Sequence, residues 1–460
     1  MQRILAIVWL TWKAAFRFRL FLVIAVLLLG AVVGLPLLIK DDGTARGFTQ
    51  ILLTYTLSTV SALLGLSTLW LACGTLAREI EDCQMQVVAT KPIARWQIWL
   101  GKWLGILSLN ATLLALSGAG IYGLLQWRAS RLPLDQRQVL RNEVLVARGS
   151  AKLPNIDKEI EMETDKVLQE NLQKRRIDQV DLVEARRQIR EQIKADYQLV
   201  PGPNYAHEWK VDLGLARHNL HGKPLQLRIK FNTASQSTSG TFLGVWVLGA
   251  PPRIWRSEPM SLAPDTFHEF PIPPDLFDEN GVLTINFLNY NNTALLFSLE
   301  EGIEVLYPES TFGINFIRGL GIILCWMALL AALGLAASSF LSFPVAAFVS
   351  LGVLTLVLCS GTMSNAVSEG TIANWNAEKG TKGWSPLDPV VLPTFKALVK
   401  LISLAKDFSP VDALSTGRSI TWEQLGLAFG QIVVLLGGAL AAFGIAAFTR
   451  RELASAHQTQ

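Results

Sequence analysis

Few residues in this chain of 460 stand at spacings that support chemistry. His218 and His221 share an H-x-x-H spacing, but no Cys, Asp or Glu ligand is obvious beside them, so they read as surface histidines of a strand connection and not as a metal site. The two Gly-Lys pairs, Gly101-Lys102-Trp103 and Gly222-Lys223-Pro224, lack the Ser or Thr that a phosphate-cradling loop places after the lysine to hold Mg²⁺. No serine nucleophile elbow, H-E-x-x-H or C-x-x-C pattern occurs. The four cysteines, Cys73, Cys83, Cys325 and Cys359, lie in or beside apolar runs and give neither a disulfide framework nor a metal site. Asn291-Asn292-Thr293 is a glycosylation acceptor only if the chain enters a pathway that glycosylates. The expectation is a protein with no catalytic, cofactor-binding or metal residues of its own, and so not an enzyme.

The chemistry is therefore to be sought in placement, and composition says where. Half of the residues are hydrophobic, 17% are charged, and the mean hydropathy is +0.34, too apolar for a soluble chain of this length. The excess sits in six runs, residues 21–38, 51–76, 99–125, 317–338, 343–362 and 425–448. Each is near or above the roughly 18–20 residues that cross a hydrocarbon layer about 30 Å thick. Amides in lipid must bond internally, and continuous apolar runs lack the alternation of a barrel, so the runs are expected to be helices. The first is too long for a cleaved signal and ends in no A-x-A-like site, so it reads as an anchor.

Basic residues set the expected orientation. Arg3, Lys13, Arg17 and Arg19 precede the first run; Arg78, Lys91 and Arg95 lie between the second and third, with Lys102 at the start of the third; Arg450 and Arg451 follow the sixth. The short loop on the other side has only Lys40 and Arg46. Both termini are expected in the cytoplasm of a multi-pass inner-membrane protein, with residues 127–316 outside. Segment 363–424 also falls outside, its Lys379, Lys382, Lys396, Lys400, Lys406 and Arg418 balanced by Glu369, Glu378, Asp388, Asp407 and Asp412. Within it, residues 390–404 are apolar, yet Lys396 and Lys400 recur through the run, so it is expected to lie in the interface and not to span. Arg318, near the start of the fourth run, is expected to snorkel to the outer interface. No acidic residue sits mid-membrane, which argues against an ion-coupled carrier. The net charge of +4 is small, and no nucleic-acid partner is expected.

The insert changes period along its length. From Asn155 to Gln198 charges alternate and apolar residues recur at three and four, which predicts a long helix or a helical hairpin broken near residues 176–178, a solvated stalk. From Trp209 onward the period is two, with strand candidates at 225–231, 241–248, 266–270, 283–288 and 294–299. Turn signals at 249–252, 271–274 and Glu279-Asn280-Gly281 separate them, which predicts a small antiparallel β-sandwich, jelly-roll-like. Residues 268–306 resemble the closing strands of galactose-binding-like sandwiches, a likeness of hydrophobic pattern that implies a fold and no sugar ligand.

One polar segment carries more. Leu76-Ala-Arg-Glu-Ile-Glu-Asp82 ends the second run, Lys91-Pro92-Ile93-Ala94-Arg95 follows, and Gly101-Lys102 opens the third. The chain resembles ABC transporter type-2 permeases, whose members carry an R-E-x-E stretch, a Pro-Ile-x-Arg turn and a Gly-Lys at the third helix. The matching positions are Arg78, Glu79, Glu81, Pro92, Ile93, Arg95, Gly101 and Lys102. Cys83, Gln84 and Met85 depart from the Gly-Thr-Leu common there. Phe448-Thr449-Arg450-Arg451-Glu452-Leu453 resembles the Phe-x-Arg-Arg-x-Leu close of the sixth helix. The resemblance covers the membrane part and not the insert.

It implies a permease subunit of an exporter, a six-helix all-α membrane bundle with an inserted extracytoplasmic domain, that works in the bilayer with a second permease subunit and a separate ABC ATPase. No cofactor is expected. Arg78, Glu79, Glu81, Asp82, Pro92 and Arg95 would form the ATPase-coupling segment, with Glu79, Glu81, Asp82 and Arg95 available for ion pairs. Polar residues of the second run, Thr54, Tyr55, Ser58 and Ser61, with Thr56 and Thr59 beside them, could line a path or pack helices together. The expected divisions are 1–126, three spans with the coupling segment 77–98; 127–204, the stalk; 205–312, the sandwich; and 313–460, three spans with the interfacial segment 363–424. The alternative is a non-transporting anchor that displays the external domain to an envelope polymer or a partner protein.

Overall fold

The computed structural model describes residues 2–17, 20–38, 44–82, 85, 93–173, 182–233, 240–369, 372, 387–406 and 408–451. The chain divides into two compact units, Met1–Val146 with Thr311–Gln460, and Ala147–Ser310.

The first unit is helical. Its first half holds α1 (Gln2–Arg17), α2 (Leu20–Leu38), α3 (Ala45–Glu81), α4 (Arg95–Arg131) and α5 (Leu134–Glu143). Helices α6 and α7 belong to the second unit. The bundle resumes with α8 (Phe312–Ser338), α9 (Phe343–Leu358), α10 (Ser360–Glu369), α11 (Asp388–Lys406), α12 (Pro410–Ser415), α13 (Trp422–Ala428) and α14 (Gly438–Arg450). Between the last two, residues Phe429–Gly437 widen into π geometry without breaking the helix. Thr44 caps α3, accepting a hydrogen bond from Gly47 N at 3.1 Å.

Among the described residues, four helices are long and apolar enough to cross a membrane: Gly47–Glu81, Arg95–Arg131, Phe312–Ser338 and Trp422–Arg450. A fifth appears if α9 and the start of α10, bent by 50° at Cys359, are one broken span. The six runs expected from hydropathy all fall in helices, but the first forms α2, whose apolar stretch Leu22–Pro36 is short of span length. The chain thus combines a multi-pass helical part with a β domain. Residues 390–404 lie in α11, which begins five residues before Pro393, and Lys396 and Lys400 are exposed.

Small residues let these helices approach closely. A Cβ on Gly334 of α8 would stand 2.6 Å from Ala72 Cβ of α3, so this pair meets almost backbone to backbone. Ile7 packs on Gly101, Thr11 on Gly105 and Val32 on Gly120. The rising numbers on both sides mean that α1 and α2 run in the same direction as α4. Leu53, Leu57, Val60 and Leu64 of α3 pack with Leu113, Ile121, Phe316 and Ile323 in the largest core. A second core at the other end gathers Ala72, Leu76, Ile98, Trp99, Leu335 and Phe448.

The second unit opens with β1 (Val146–Lys152) and the hairpin of α6 (Asp157–Gln173) and α7 (Leu182–Gln198). The turn expected near residues 176–178 lies outside the described residues. Arg186 and Asp165 pair at 2.9 Å, and Tyr197 Oη donates to Glu163 at 3.1 Å. That hydrogen bond, more than desolvation, raises the Tyr197 phenol above its ordinary value.

The strands that follow are β2 (Leu199–Val200), β3 (Tyr205–Asp212), β4 (Leu225–Ile229), β5 (Asn232–Thr233), β6 (Phe242–Ala250), β7 (Arg253–Arg256), β8 (Met260–Leu262), β9 (His268–Ile272), β10 (Val282–Asn289), β11 (Leu295–Leu296) and β12 (Ile303–Thr311). They form a four-stranded sheet β1-β12-β4-β9, a five-stranded sheet β3-β10-β6-β7 with β8 against β6, and a small sheet β2-β11-β5. The pairs β10–β3, β10–β6, β4–β9 and β12–β4 are antiparallel. Alternation does the folding: in β10, Leu283, Ile285 and Phe287 face inward while Thr284 and Asn286 are half exposed. Inward residues of both sheets, among them Leu227, Val305, Trp246 and Ile285, share one core.

Candidate functional site

The residues singled out from the resemblance gather at one end of the bundle, where α3 ends, α4 begins and α14 ends. Arg95 is the first residue of α4, and its Nη1 donates to the carbonyls of Phe448, Thr449 and Arg451, each at 2.8 Å. These are carbonyls at a helix C-terminus, where the backbone lacks partners and the helix dipole favours a cation. Arg451 in turn donates to Ser338 O at 3.4 Å and Ser339 O at 3.3 Å, at the C-terminus of α8. Glu81 Oε1 accepts from Phe343 N at 2.8 Å, at the N-terminus of α9, where the dipole favours an anion. The Arg78 guanidinium stands 4.1 Å from the Phe343 ring centroid.

Below this layer lies an ion pair. Lys102 Nζ donates to Glu79 Oε1 at 2.6 Å and to Thr75 O at 3.1 Å, and the lysine side chain is only 4% exposed. The carboxylate and the carbonyl give this enclosed side chain the polar partners that burial would otherwise deny it. Asp82 closes α3, its N–H bonding Arg78 O at 2.8 Å. Pro92 and the rest of link 83–92 apart from Met85 lie outside the described residues; Met85 is buried.

Glu79 and Arg95, read as available for ion pairs, each meet within the bundle a group of opposite sign that the fold buries or leaves uncapped. One expectation changes. Arg318, expected to snorkel, is buried; its Nη1 donates to Ile420 O at 2.9 Å and its guanidinium stacks over Trp422 at 4.6 Å. Asn315 helps to hold the same segment, donating to Arg418 O at 2.7 Å and accepting from Ile420 N at 2.7 Å. The loop supplies the carbonyl that the arginine would otherwise seek in water.

The residues proposed to line a path diverge. Tyr55 and Ser58 of α3 are exposed, on a face continued by Leu66 and Trp70. Thr54 is half-buried, and Ser61 Oγ is buried without a hydrogen-bond partner among the described residues. Thr56 turns inward and bonds Leu52 O at 2.6 Å, which is packing chemistry. A small pocket lined by Ser67, Asn110 and Leu113 contains none of them.

In the β domain, His221 Nδ1 lies 3.0 Å from Asp275, and among the described residues no three His, Cys, Asp or Glu could hold a metal ion together. Asn291 of the sequon is tied into the sheet, donating to Leu243 O at 2.8 Å and accepting from Leu243 N at 2.9 Å. Arg228 stands between Glu269 and Glu304 at 3.7 and 3.5 Å, with Arg148 3.2 Å from Glu269, all shielded from solvent. This charge-balanced row spans the four strands β1, β12, β4 and β9, with Arg228 in register with both glutamates.

No relative decides the matter. Neither the protein families nor the curated proteins compared with it match this chain. The functional reading therefore rests on this chain's own residues. Of those that make the helix-end cluster, Lys102 and Arg451 carried a sequence signal, a basic residue beside an apolar run, whereas Phe343 and Thr75 take part through backbone groups that no sequence pattern marks.

Proposed function

We propose that this protein is the membrane-spanning subunit of an ABC-type exporter, a type-2 permease, driven by a separate ATPase. The observation that supports it most is the meeting of α3 and α4 at one charged helix-end cluster, with the short link 83–92 tethered between them. A soluble motor needs such an element: a handle whose two ends are fixed to long apolar helices. Lacking a phosphate-binding loop of its own, the chain draws its energy from the partner.

In this reading α1 and α2 together make the first of six spans, the bent pair α9 and α10 the fifth, and both termini are cytoplasmic. Residues 127–316 are extracytoplasmic, the β domain is a jelly-roll-type sandwich, and two permease subunits meet in the bilayer. The substrate class is left open by the diverging polar residues of α3. A second reading, an anchor that displays the β domain to an envelope polymer or a partner protein, draws support from that domain's separate core.

Gentle purification from native membranes, with a photo-crosslinking residue at Gln86, distinguishes the two. A nucleotide-hydrolysing subunit crosslinked at Gln86 is the expected result. Purification of the intact chain with no such partner, and no crosslink in membranes, would overturn the exporter and favour the anchor. Charge reversal at Glu79 is unsuited to this test, since it would break the pair with Lys102 before reaching any partner.

A further inference from the structure

The contacts at this end of the bundle form a chain. Lys102 of α4 holds α3 through Glu79 and Thr75 O. Glu81 of α3 holds the start of α9. Arg95 of α4 holds the end of α14 through three carbonyls, and Arg451, just beyond α14, holds the end of α8. The sign of each charge suits the helix end that it meets: an anion at the N-terminus of α9, cations at the C-termini of α14 and α8. Trp103 Nε1 adds a bond to Ala328 O of α8 at 2.9 Å, and Trp99 lies with Phe448 in the core directly inside. Five helix ends are thus joined by five charged side chains, and link 83–92 connects two of those helices, α3 and α4.

We propose that Lys102 and Arg95 are positioning residues that lock these five helix ends into one cooperative clasp, so that a displacement of link 83–92 moves α3, α4, α8, α9 and α14 as a unit. The inference rests on the reading of that link as the partner's handle only for its purpose; the clasp itself is a property of this chain. Independent ion pairs would open separately. A clasp opens as a whole, because breaking one tie leaves a buried charge or uncapped carbonyls that loosen the next.

The test is amide hydrogen exchange on the full chain in lipid nanodiscs, with no partner present. Lys102→Met is expected to raise exchange about tenfold in residues 445–451 and 336–343, which lie beyond its hydrogen bonds to Glu79 and Thr75. Arg95→Gln is expected to raise it comparably in residues 76–82, which lie beyond its hydrogen bonds to residues 448–451. The swap Glu79→Lys with Lys102→Glu should return exchange toward the original, whereas Arg95→Lys should not, since an ammonium lacks the planar fork that Arg95 brings to the α14 end. Increases confined to each variant's own contacts would overturn the clasp and leave ordinary local ties. Should Lys102→Met fail to fold, the Arg95→Gln arm decides alone. Because the partner is absent, failure here leaves the crosslink at Gln86 untouched, and failure of that crosslink leaves this result standing.

Discussion

Arg318 and Asn315 show how a buried polar residue stabilises a membrane bundle: both hold the backbone of the loop after α12, which would otherwise bury unpaired groups. Arg318→Leu is expected to cost about 1.5–3 kcal/mol, the usual worth of a hydrogen bond to a charged group, read as a lower melting temperature in detergent. An unchanged melting temperature would mean that the contact with Ile420 contributes nothing. In the β domain, His207 packs against Trp209 with ring centroids 4.4 Å apart, and its burial lowers the imidazole below its ordinary value. The neutral form is thus favoured in the folded domain. Below pH of about 6.5 the unfolded chain takes up a proton that the folded domain resists, so stability is full above that value and declines beneath it. Exchange of β3 amides, corrected for intrinsic rate, should rise between about pH 7 and pH 5, and His207→Gln should flatten the rise. An equal rise in the variant would assign the effect to other groups.

Elements are held by packing that tolerates little change of volume. Trp246 of β6 is fully buried and ringed by Trp209, Phe270, Phe287 and Phe297. Trp246→Ala is expected to cost about 3–5 kcal/mol, measured as loss of exchange protection in β6 and β10. Gly334→Leu would drive a side chain into Ala72 and the α3 backbone and should part α8 from α3; retention of the original melting temperature would show that the pair can separate without loss. The strands and helices with strong periodicity were legible: the alternation of residues 283–288 became β10, and the run from Asn155 became α6 and α7. β1 was not, for Ala147-Arg-Gly-Ser-Ala-Lys152 carries no β signal, and its pairing with β12 supplies the order that propensity lacks.

At the scale of the molecule, residues 4–7 and 448–451 meet the same end of α4, so the two chain ends share one end of the bundle. In the proposed reading, which rests on the charge pattern, that end faces the cytoplasm. Cysteines at Gln86 and Ser235, in a chain lacking Cys83, should differ in intact cells: an impermeant thiol reagent should label Ser235→Cys and spare Gln86→Cys. The opposite labelling would invert the topology. Reaction of a cysteine at Gln460 from outside would mean an odd number of spans and a membrane-crossing α11.

The sequence by itself determined the apolar helices, the polar insert, its change of period and the absence of a nucleotide-binding motif, because hydropathy and local periodicity act over windows of a few residues. It also marked Arg78, Glu79, Glu81 and Arg95 as a cluster. What those charges do was decided by tertiary structure alone. Glu79 finds Lys102 23 positions away, Arg95 finds carbonyls more than 350 positions away, and Arg318 finds Ile420 102 positions away. Each partner is a group of opposite sign or an orphaned carbonyl, placed by the packing of whole helices, and no local pattern encodes that meeting.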